Sequence, residues 1–423
     1  MSALVVGAVI FIAIYVIIAT EWWHKTLAAL IGGLAMILLR VLDQEEAFRA
    51  VDWNVIFLLV GMMIIAHVTA ETGVFQWLAI RAAKLADGRP FRLLIILTLV
   101  TALASAFLDN VTTVVLIVPV TIYLAEVLQI NVKPLLLAEV LASNIGGAAT
   151  LIGDPPNILI GSAANLGFND FLLHMAPPSA IILGLFLLSA RFLFRRDLAD
   201  TEAHRELVLA LDERKVLTDP VLLRKSLLIL GATIGGFLVH RLIHLEPATI
   251  ALTGAAVLLI WTRFPVQKAL AEVEWTTLLF FIGLFIMVEG VVKVGLIDLL
   301  AQRALELTGG ALAPTSLLIL WLSLLLSGIV DNIPYTATMI PLVQGLQAGQ
   351  GHGGNTLWWS LALGADLGGN ATLIGASANI IVANLASRAG HPIIFREFLA
   401  YGLPVMFGSG LVATAWVWLR YLL

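Results

Sequence analysis

Two stretches of this chain repeat each other at a constant offset, and the residues they share are polar ones within long apolar sequence. Asp109-Asn110 returns as Asp331-Asn332, and residues 144–153 return with few changes as 366–375. No insertion or deletion interrupts the correspondence from about residue 29 to 157. Duplicated halves with glycine-interrupted polar segments at matching positions are typical of secondary transporters, and such segments point to the substrate site.

The composition places the chain in a membrane. It is 60% apolar and 12% charged, whereas soluble domains carry about 25% charged residues. The absence of cysteine excludes disulfides, thiolate metal sites and cysteine redox chemistry. No basic segment precedes Lys25, so residues 3–20 are expected to form an uncleaved spanning helix rather than a signal peptide.

Long apolar runs predict an all-α polytopic membrane protein built from two repeats. Spans are expected at 3–20, 26–42, 52–70, 177–194, 225–243, 247–262, 275–292 and 398–420. Hairpins with polar tips are expected at 91–128 and 315–343, and helices interrupted at glycine pairs at 134–164 and 356–386. Residues 1–194 then form the first repeat, 195–225 a polar linker and 226–423 the second repeat.

The basic residues orient the two repeats in opposite directions. Loop 303–314 carries only Arg303, whereas its counterpart in the first half carries Arg81, Lys84, Arg89 and Arg92. Because cytoplasmic loops hold the excess of lysine and arginine, these loops lie on opposite sides, which defines inverted-topology repeats. The same topology places most of the 24 basic residues inside. It predicts a bacterial inner-membrane protein with its N-terminus outside and its linker in the cytoplasm.

Charge placement leaves the depth of the hairpin at 91–128 open. A re-entrant hairpin and two full spans both return the chain to its starting side. Full spans would put Asp109-Asn110 at the far surface, whereas re-entry would put the pair at the midplane. The same pair occurs beside an interrupted helix in both halves. This recurrence favours a re-entrant hairpin and a discontinuous helix in each repeat.

Polar residues in these four segments are the candidate substrate- and proton-binding site. A carboxylate at bilayer depth costs at least about 2.5–3.5 kcal/mol, so it is expected to have a function. No lysine or arginine lies within the polar motifs of these segments, at 108–113, 144–157, 331–341 and 366–379, and desolvation of an unpaired carboxylate favours its protonated form. Glu139 and Glu289 are secondary candidates for a proton path. The candidate site residues are Asp109, Asn110, Thr112, Thr113, Asn144, Gly146, Gly147, Thr150, Asp154, Asn157, Asp331, Asn332, Thr336, Asp366, Gly368, Gly369, Asn370, Thr372 and Asn379.

Each polar feature also has a structural interpretation. Glycine pairs permit close helix packing as well as unwinding, and asparagine and threonine often tie membrane helices together. Asp154 precedes two prolines and fits either a helix cap or a proton carrier. Asp109 and Asp331 fit a structural role least well, because burying an unpaired acid twice does not stabilise the fold.

Several other classes of function are not expected. The chain has no Gly-Lys-Ser/Thr phosphate loop, so an ion gradient rather than ATP hydrolysis should drive transport. It shows no nucleophile triad, no metal-ligand cluster and no nucleic-acid patch, and the sequence predicts neither an enzyme nor a bound cofactor or metal.

The polar motifs resemble those of the ion transporter superfamily, and the resemblance covers nearly the whole chain. Within it the chain is most similar to arsenite efflux pumps (ArsB), NhaD-type antiporters and the melanosomal P protein. The resemblance implies paired re-entrant hairpins, two unwound helices, one site per protomer and alternating access, often in a homodimer. The motifs are Leu108-Asp-Asn-Val-Thr-Thr113, residues 144–157, Asp331-Asn-Ile-Pro-Tyr-Thr-Ala-Thr-Met-Ile-Pro341 and residues 367–379.

The residues at the hairpin tips indicate which charge the substrate can carry. Related dicarboxylate and citrate carriers have Ser-Asn-Thr where this chain has Asp-Asn, and an unprotonated acid there disfavours an anion. The first hypothesis is therefore a proton-coupled antiporter that exports arsenite or antimonite as a neutral metalloid hydroxide. Asp109 and Asp331 would hold protons and substrate in turn. The substrate hydroxyls would bind to Asn110, Asn332, Asn144, Asp366 and Asn370, supported by Thr112, Thr113, Thr150 and Thr372.

Three alternatives remain at this point. In a sodium/proton antiporter, the same Asp-Asn pairs and the freed backbone carbonyls would coordinate Na⁺. A citrate or dicarboxylate carrier fits less well, because the Ser-Asn-Thr tips are missing. The channel subunit of an ATP-driven pump would need a separate ATPase partner, for which the linker at 195–225 is the candidate docking segment.

Overall fold

The computed structural model of the protein describes residues 3–20, 22–194, 206, 210, 212–213, 215–350 and 354–423. These residues form helices and connecting loops without a strand, which confirms the predicted all-α fold. Among them, seven helices are long and apolar enough to cross a membrane, as a polytopic membrane protein requires. They are Trp53–Ala70, Pro90–Phe107, Asn110–Leu128, Ala176–Leu193, Pro220–Ile243, Trp275–Lys293 and Phe395–Leu422.

The remaining helices are shorter or less apolar, and they connect or complete these spans. In the first half they are Ala3–Ala19, Lys25–Leu38, Gln44–Arg49, Val74–Leu85, Lys133–Gly147, Pro155–Ala164 and Phe168–His174. In the second half they are Pro247–Thr262, Val266–Ala271, Leu296–Thr308, Leu312–Ser327, Asn332–Gln350, Thr356–Gly368 and Ser377–Arg388. Phe395–Val417 ends in a π-helical turn at Trp418–Leu422.

A hairpin and a broken helix recur in each half at the predicted positions. The first hairpin consists of Pro90–Phe107 and Asn110–Leu128, and the second of Leu312–Ser327 and Asn332–Gln350. The first broken helix consists of Lys133–Gly147 and Pro155–Ala164, and the second of Thr356–Gly368 and Ser377–Arg388. The first helix ends after its glycine pair at Gly147 and the second ends within its pair at Gly368, and in both halves the broken helix packs against the hairpin.

The linker ends earlier than the sequence indicates. Asp219 accepts hydrogen bonds from the backbone N–H groups of Val221 and Leu222, and Pro220 takes the first helical position, so a helix begins there. Residues 220–225 of the predicted linker therefore belong to this helix. Of the rest, 195–205, 207–209, 211 and 214 lie outside the described residues.

Ion pairs join segments that the charge pattern assigns to the same side of the membrane. On the predicted cytoplasmic side, Glu213 of the linker pairs with Lys84, whose hydrogen bond lowers the pKa of the Glu213 carboxyl below its usual range. Other pairs on that side are Lys268 with Glu71 and Lys133 with Glu397. On the predicted outer side, the pairs are Lys293 with Glu46 and Arg241 with Asp170. These five ion pairs are consistent with the predicted topology.

The two halves make reciprocal contacts across their boundary. Helix Trp53–Ala70 crosses Pro247–Thr262 so closely that a Cβ on Gly61 would lie 2.6 Å from the carbonyl carbon of Ala251. At the equivalent positions, a Cβ on Gly283 would lie 2.5 Å from the carbonyl carbon of Ala29. Exchange of equivalent contacts is what a pseudo-twofold axis between the halves produces. Their opposite orientation in a membrane stays a prediction.

Candidate functional site

The unwound segments of both broken helices are held by the same side-chain contacts. Thr150 donates its hydroxyl to the Ala106 carbonyl, and Thr372 donates to the equivalent Gly328 carbonyl at 2.7 Å. Asn157 and Asn379 brace the two loops through their amides, which donate to the carbonyls of Thr150 and Thr372 at 3.0 and 2.8 Å. The two threonines thus fix the unwound backbone to the hairpins, and the two asparagines tie it to the second arm of each broken helix.

A second group of buried residues links the broken helices to each other. The Asn144 amide donates to the side-chain oxygens of Asn370 and Asn379 at 2.9 and 3.0 Å. Asp366 is the counterpart of Asn144 and is fully buried, and its carboxylate oxygens have no hydrogen-bond partner within the described chain. This group therefore lies in the interface between the halves, where both unwound helices meet.

Asp154 receives hydrogen bonds from both hairpin tips. The Asn110 amide donates to Oδ2 at 3.0 Å, and the Asn332 amide reaches the two carboxylate oxygens at 3.3 and 3.4 Å. Asp154 occupies the position before helix Pro155–Ala164, but its side chain makes no capping bond. The Asp154 side chain therefore does not act as a helix cap, and its role in substrate or proton binding stays a prediction.

The meeting of the tips bears on the depth of the hairpins. Asn110 and Asn332 lie on hairpins from different halves, and both bind one fully buried carboxylate. If the halves are inverted, their hairpins enter from opposite surfaces, and the tips can meet only if both stop inside the membrane. This arrangement supports the re-entrant alternative.

Asp331 is paired with a cation, and the expectation that the acids are unpaired is wrong at this position. The Lys25 ammonium lies 2.7 Å from Asp331 Oδ2 and donates to the Ser377 hydroxyl at 2.7 Å. The Ser377 hydroxyl also donates to Asp331, at 2.8 Å. Lys25 lies outside the four polar segments, in the first turn of helix Lys25–Leu38, so a search confined to those segments missed it.

Asp109 has different partners from Asp331, although the two are equivalent in sequence. Its carboxylate accepts the backbone N–H of Thr112 at 2.8 Å and the Thr112 hydroxyl. Asp109 therefore caps helix Asn110–Leu128 while it faces the cavity described next. Thr113 and Thr336 are fully buried within their hairpins and do not line that cavity.

A cavity of about 740 Å³ joins the hairpin tips, the start of the first broken helix's second arm and helix Lys25–Leu38. We call it the central cavity. Five predicted site residues line it, namely Asp109, Asn110, Asp154, Asp331 and Asn332. Lys25 is the only lysine or arginine among its described lining residues. The three aspartates thus outnumber the lysine and arginine side chains by three to one.

Sequence reasoning missed Lys25, Glu274 and Ser377 of the central cavity, along with the polar lining residues His24, Thr276, Thr277 and Asn384. Lys25 is the only lysine or arginine before Arg40, a signal that could have singled it out. Glu274 occupies the repeat position of Asp52, so the constant offset between the halves could have identified it as a divergent pair.

The glycine pairs allow close backbone packing, and none of the four glycines lines the central cavity. A Cβ on Gly146 would overlap the Ala102 carbonyl oxygen, and one on Gly368 would lie 2.5 Å from that of Leu324. Gly147 and Gly369 approach the backbone across their own unwound loops. Glu139 and Glu289 also lie away from the central cavity, and Glu139 accepts a hydrogen bond from Thr121 at 2.6 Å. Close packing is therefore the interpretation that fits the glycines.

Buried hairpin tips and an unwound helix around one polar cavity define the class of the protein as a membrane transporter. Two solved transporter structures share the fold. The YdaH transporter of Alcanivorax borkumensis aligns with a TM-score of 0.59 at 15% identity, covering 86% of this chain and 84% of its own. MtrF of Neisseria gonorrhoeae aligns with a TM-score of 0.63 at 13% identity, covering 92% and 85%.

The particular family follows from the sequence. Residues 15–364 match the CitMHS family, described as citrate transporter, and the chain belongs to this family of the ion transporter superfamily. An uncharacterized transporter of Mycobacterium tuberculosis is 48% identical, with 99% of this chain and 98% of the relative aligned. The human P protein is 35% identical over 95% of this chain and 58% of its own length. The predicted superfamily is confirmed.

Proposed function

We propose that the protein is a proton-coupled antiporter that exchanges a small cation for protons across a bacterial plasma membrane. The observation that carries the proposal is the charge of the central cavity, where three aspartates face one lysine. Carboxylate and amide oxygens are the ligands that hard cations prefer. Sodium is therefore the substrate that this lining favours.

The contact between Lys25 and Asp331 supports a cation in particular. An ammonium already lies within hydrogen-bond distance of the Asp331 carboxylate and the Ser377 hydroxyl. These two groups thus form a place where a positive charge is favourable. A sodium ion bound there would compete with Lys25, and protons would compete for the same carboxylates. Competition of protons and substrate for one set of ligands produces exchange.

Arsenite or antimonite export is the second candidate. A neutral trihydroxide needs both donors and acceptors, and the cavity offers the Asn110 and Asn332 amides beside the Asp154 carboxylate.

Citrate fits the cavity less well despite the description of the family. A free tricarboxylate would meet three aspartates, with Lys25 as the only lysine or arginine among the described lining residues.

The cavity should open toward the cytoplasm. Residues at the starts of helices Lys25–Leu38 and Trp275–Lys293 line it. The distribution of basic residues assigns both helix starts to the cytoplasmic side. In this state the export substrate would enter from the cell interior and meet the hairpin tips.

Transport by the purified protein in liposomes tests the function. With an acid interior, protons leave as substrate enters, so we expect uptake of radiolabelled sodium that stops when a protonophore collapses the gradient. Arsenite and citrate are offered in parallel, with protein-free liposomes as the control. Arsenite uptake without sodium uptake would select the second candidate. Citrate uptake alone, or uptake indifferent to the protonophore, would contradict the proposed antiport.

Lys25→Ala should tighten sodium binding. The substitution removes a competing ammonium from Asp331, which retains the Ser377 hydroxyl and the Ile333 N–H as partners. We expect the KM for sodium to fall by about tenfold, equivalent to about 1.4 kcal/mol. Lys225→Ala, which removes a lysine that contacts the Trp261 carbonyl, is the matched control. A higher KM in Lys25→Ala would show that the lysine helps to hold the substrate.

A further inference from the structure

A second cavity of about 650 Å³ adjoins the central cavity, and we call it the side cavity. Glu71, Lys215 and Thr218 line it, all in segments assigned to the cytoplasmic side. Glu274 and Met63 line both cavities. Of these two, only Glu274 can carry a proton, so it is the titratable group at the boundary.

The local contacts of Glu274 differ from those of its repeat counterpart. Asp52 holds the start of its helix by accepting the N–H groups of Asn54 and Val55 at 3.0 and 3.3 Å. Glu274 precedes the equivalent helix Trp275–Lys293 but makes no capping bond to it. Its carboxylate instead accepts the Thr277 hydroxyl at 3.0 Å. The longer Glu274 side chain thus does not cap its helix, and it borders the two cavities.

Charged groups approach Glu274 from both sides. Asp109 and Lys25 act on it from the central cavity. In the side cavity stand Glu272, Glu71, His67 and Lys215. Burial, reinforced by the nearby Asp109 charge, raises the pKa of Glu274, which lies outside the spanning helix, to about 7. Its carboxyl can therefore both accept and release a proton near neutral pH.

We infer that Glu274 is the proton relay between the side cavity and the central cavity, separate from the groups that bind the substrate. The inference rests on the proposed proton coupling. In each cycle the Glu274 carboxylate accepts a proton from one cavity and releases it to the other, so that only an O–H bond forms and breaks. Protons then use the side cavity, while the substrate uses the central cavity.

Glu274→Gln separates the relay from substrate binding, because it keeps the size of the side chain and removes its titration. Two rates are measured in liposomes: sodium uptake driven by a pH gradient, and exchange of labelled for unlabelled sodium without a gradient. If the purified protein takes up arsenite and not sodium in liposomes, labelled arsenite is used in both measurements. We expect the ratio of driven uptake to exchange to fall at least about tenfold. Glu272→Gln, an exposed neighbour on the side cavity alone, should keep the wild-type ratio.

Glu274→Asp restores a titratable carboxylate and should recover part of the driven uptake. An unchanged ratio in Glu274→Gln would overturn the relay while leaving the proposed antiport in place. Equal loss of both rates, in protein with a wild-type thermal unfolding temperature, would assign Glu274 to substrate binding and also overturn it. Wild-type protein that exchanges sodium without moving protons would overturn the antiport, and the relay with it.

Discussion

Asp154→Asn should slow exchange by about 10- to 100-fold while leaving the protein folded. The substitution keeps the shape of the side chain. It removes the carboxylate that accepts hydrogen bonds from the Asn110 and Asn332 amides. Hydrogen bonds to a charged group are worth about 1.5–3 kcal/mol, and loss of one such bond accounts for the range. The measurement is the initial rate of sodium uptake by proteoliposomes under an acid-inside gradient.

Asp219→Asn is the matched control for this prediction. Asp219 also precedes a proline at the start of a helix, but it caps that helix and lies outside the central cavity. Asparagine caps as well as aspartate, so this variant should transport like wild type. Wild-type rates in Asp154→Asn would remove the carboxylate from the transport site and leave it as a structural link between the hairpins.

Gly146→Ala should destabilise the protein by about 3 kcal/mol, the upper end of the typical cost of inserting a methyl group into a close-packed core. The added methyl group would overlap the Ala102 carbonyl oxygen, which is backbone and cannot rotate away. A side-chain neighbour could move aside and lower the cost, whereas this one cannot. The unfolding temperature in detergent, followed by circular dichroism, is the measurement.

Gly231→Ala tests whether glycine replacement as such has this effect. Gly231 lies in helix Pro220–Ile243, and a Cβ there meets nothing within 4 Å. Alanine should therefore stabilise this helix by about 0.5–1 kcal/mol, because the chain loses less entropy on folding. Equal unfolding temperatures for the two variants would show that the first broken helix does not depend on close approach to its hairpin.

The repeat predicts much of the fold because it fixes polar and glycine positions twice. The hairpins and the two breaks lie within a residue of where the constant offset puts them, and the break after Gly147 recurs after Gly368 in the second glycine pair. Helix ends are less predictable, since local caps decide them. Asp219 and Pro220 begin a helix within a polar segment that composition alone assigns to the linker.

The site is only partly predictable, because partners come from distant parts of the chain. Lys25 and Asp331 are 306 residues apart in sequence, and no pattern within either segment indicates their contact. Equivalent residues also diverge in role. Asp109 caps its helix, whereas Asp331 binds a lysine, because different helices pack beside the two hairpin tips. The sequence repeat therefore predicts where equivalent residues lie in the fold better than it predicts which residues they contact.

Asp154 has no counterpart in the second half, where Ala376 stands at the equivalent position. The two hairpins therefore share one carboxylate. Asp154 accepts a hydrogen bond from Asn110 of its own half at 3.0 Å and one from Asn332 of the other half at 3.3 Å. Movement of the second hairpin breaks only the longer contacts, while movement of the first breaks the shorter one. Any rearrangement that separates the two hairpin tips must therefore break at least one of the hydrogen bonds to Asp154.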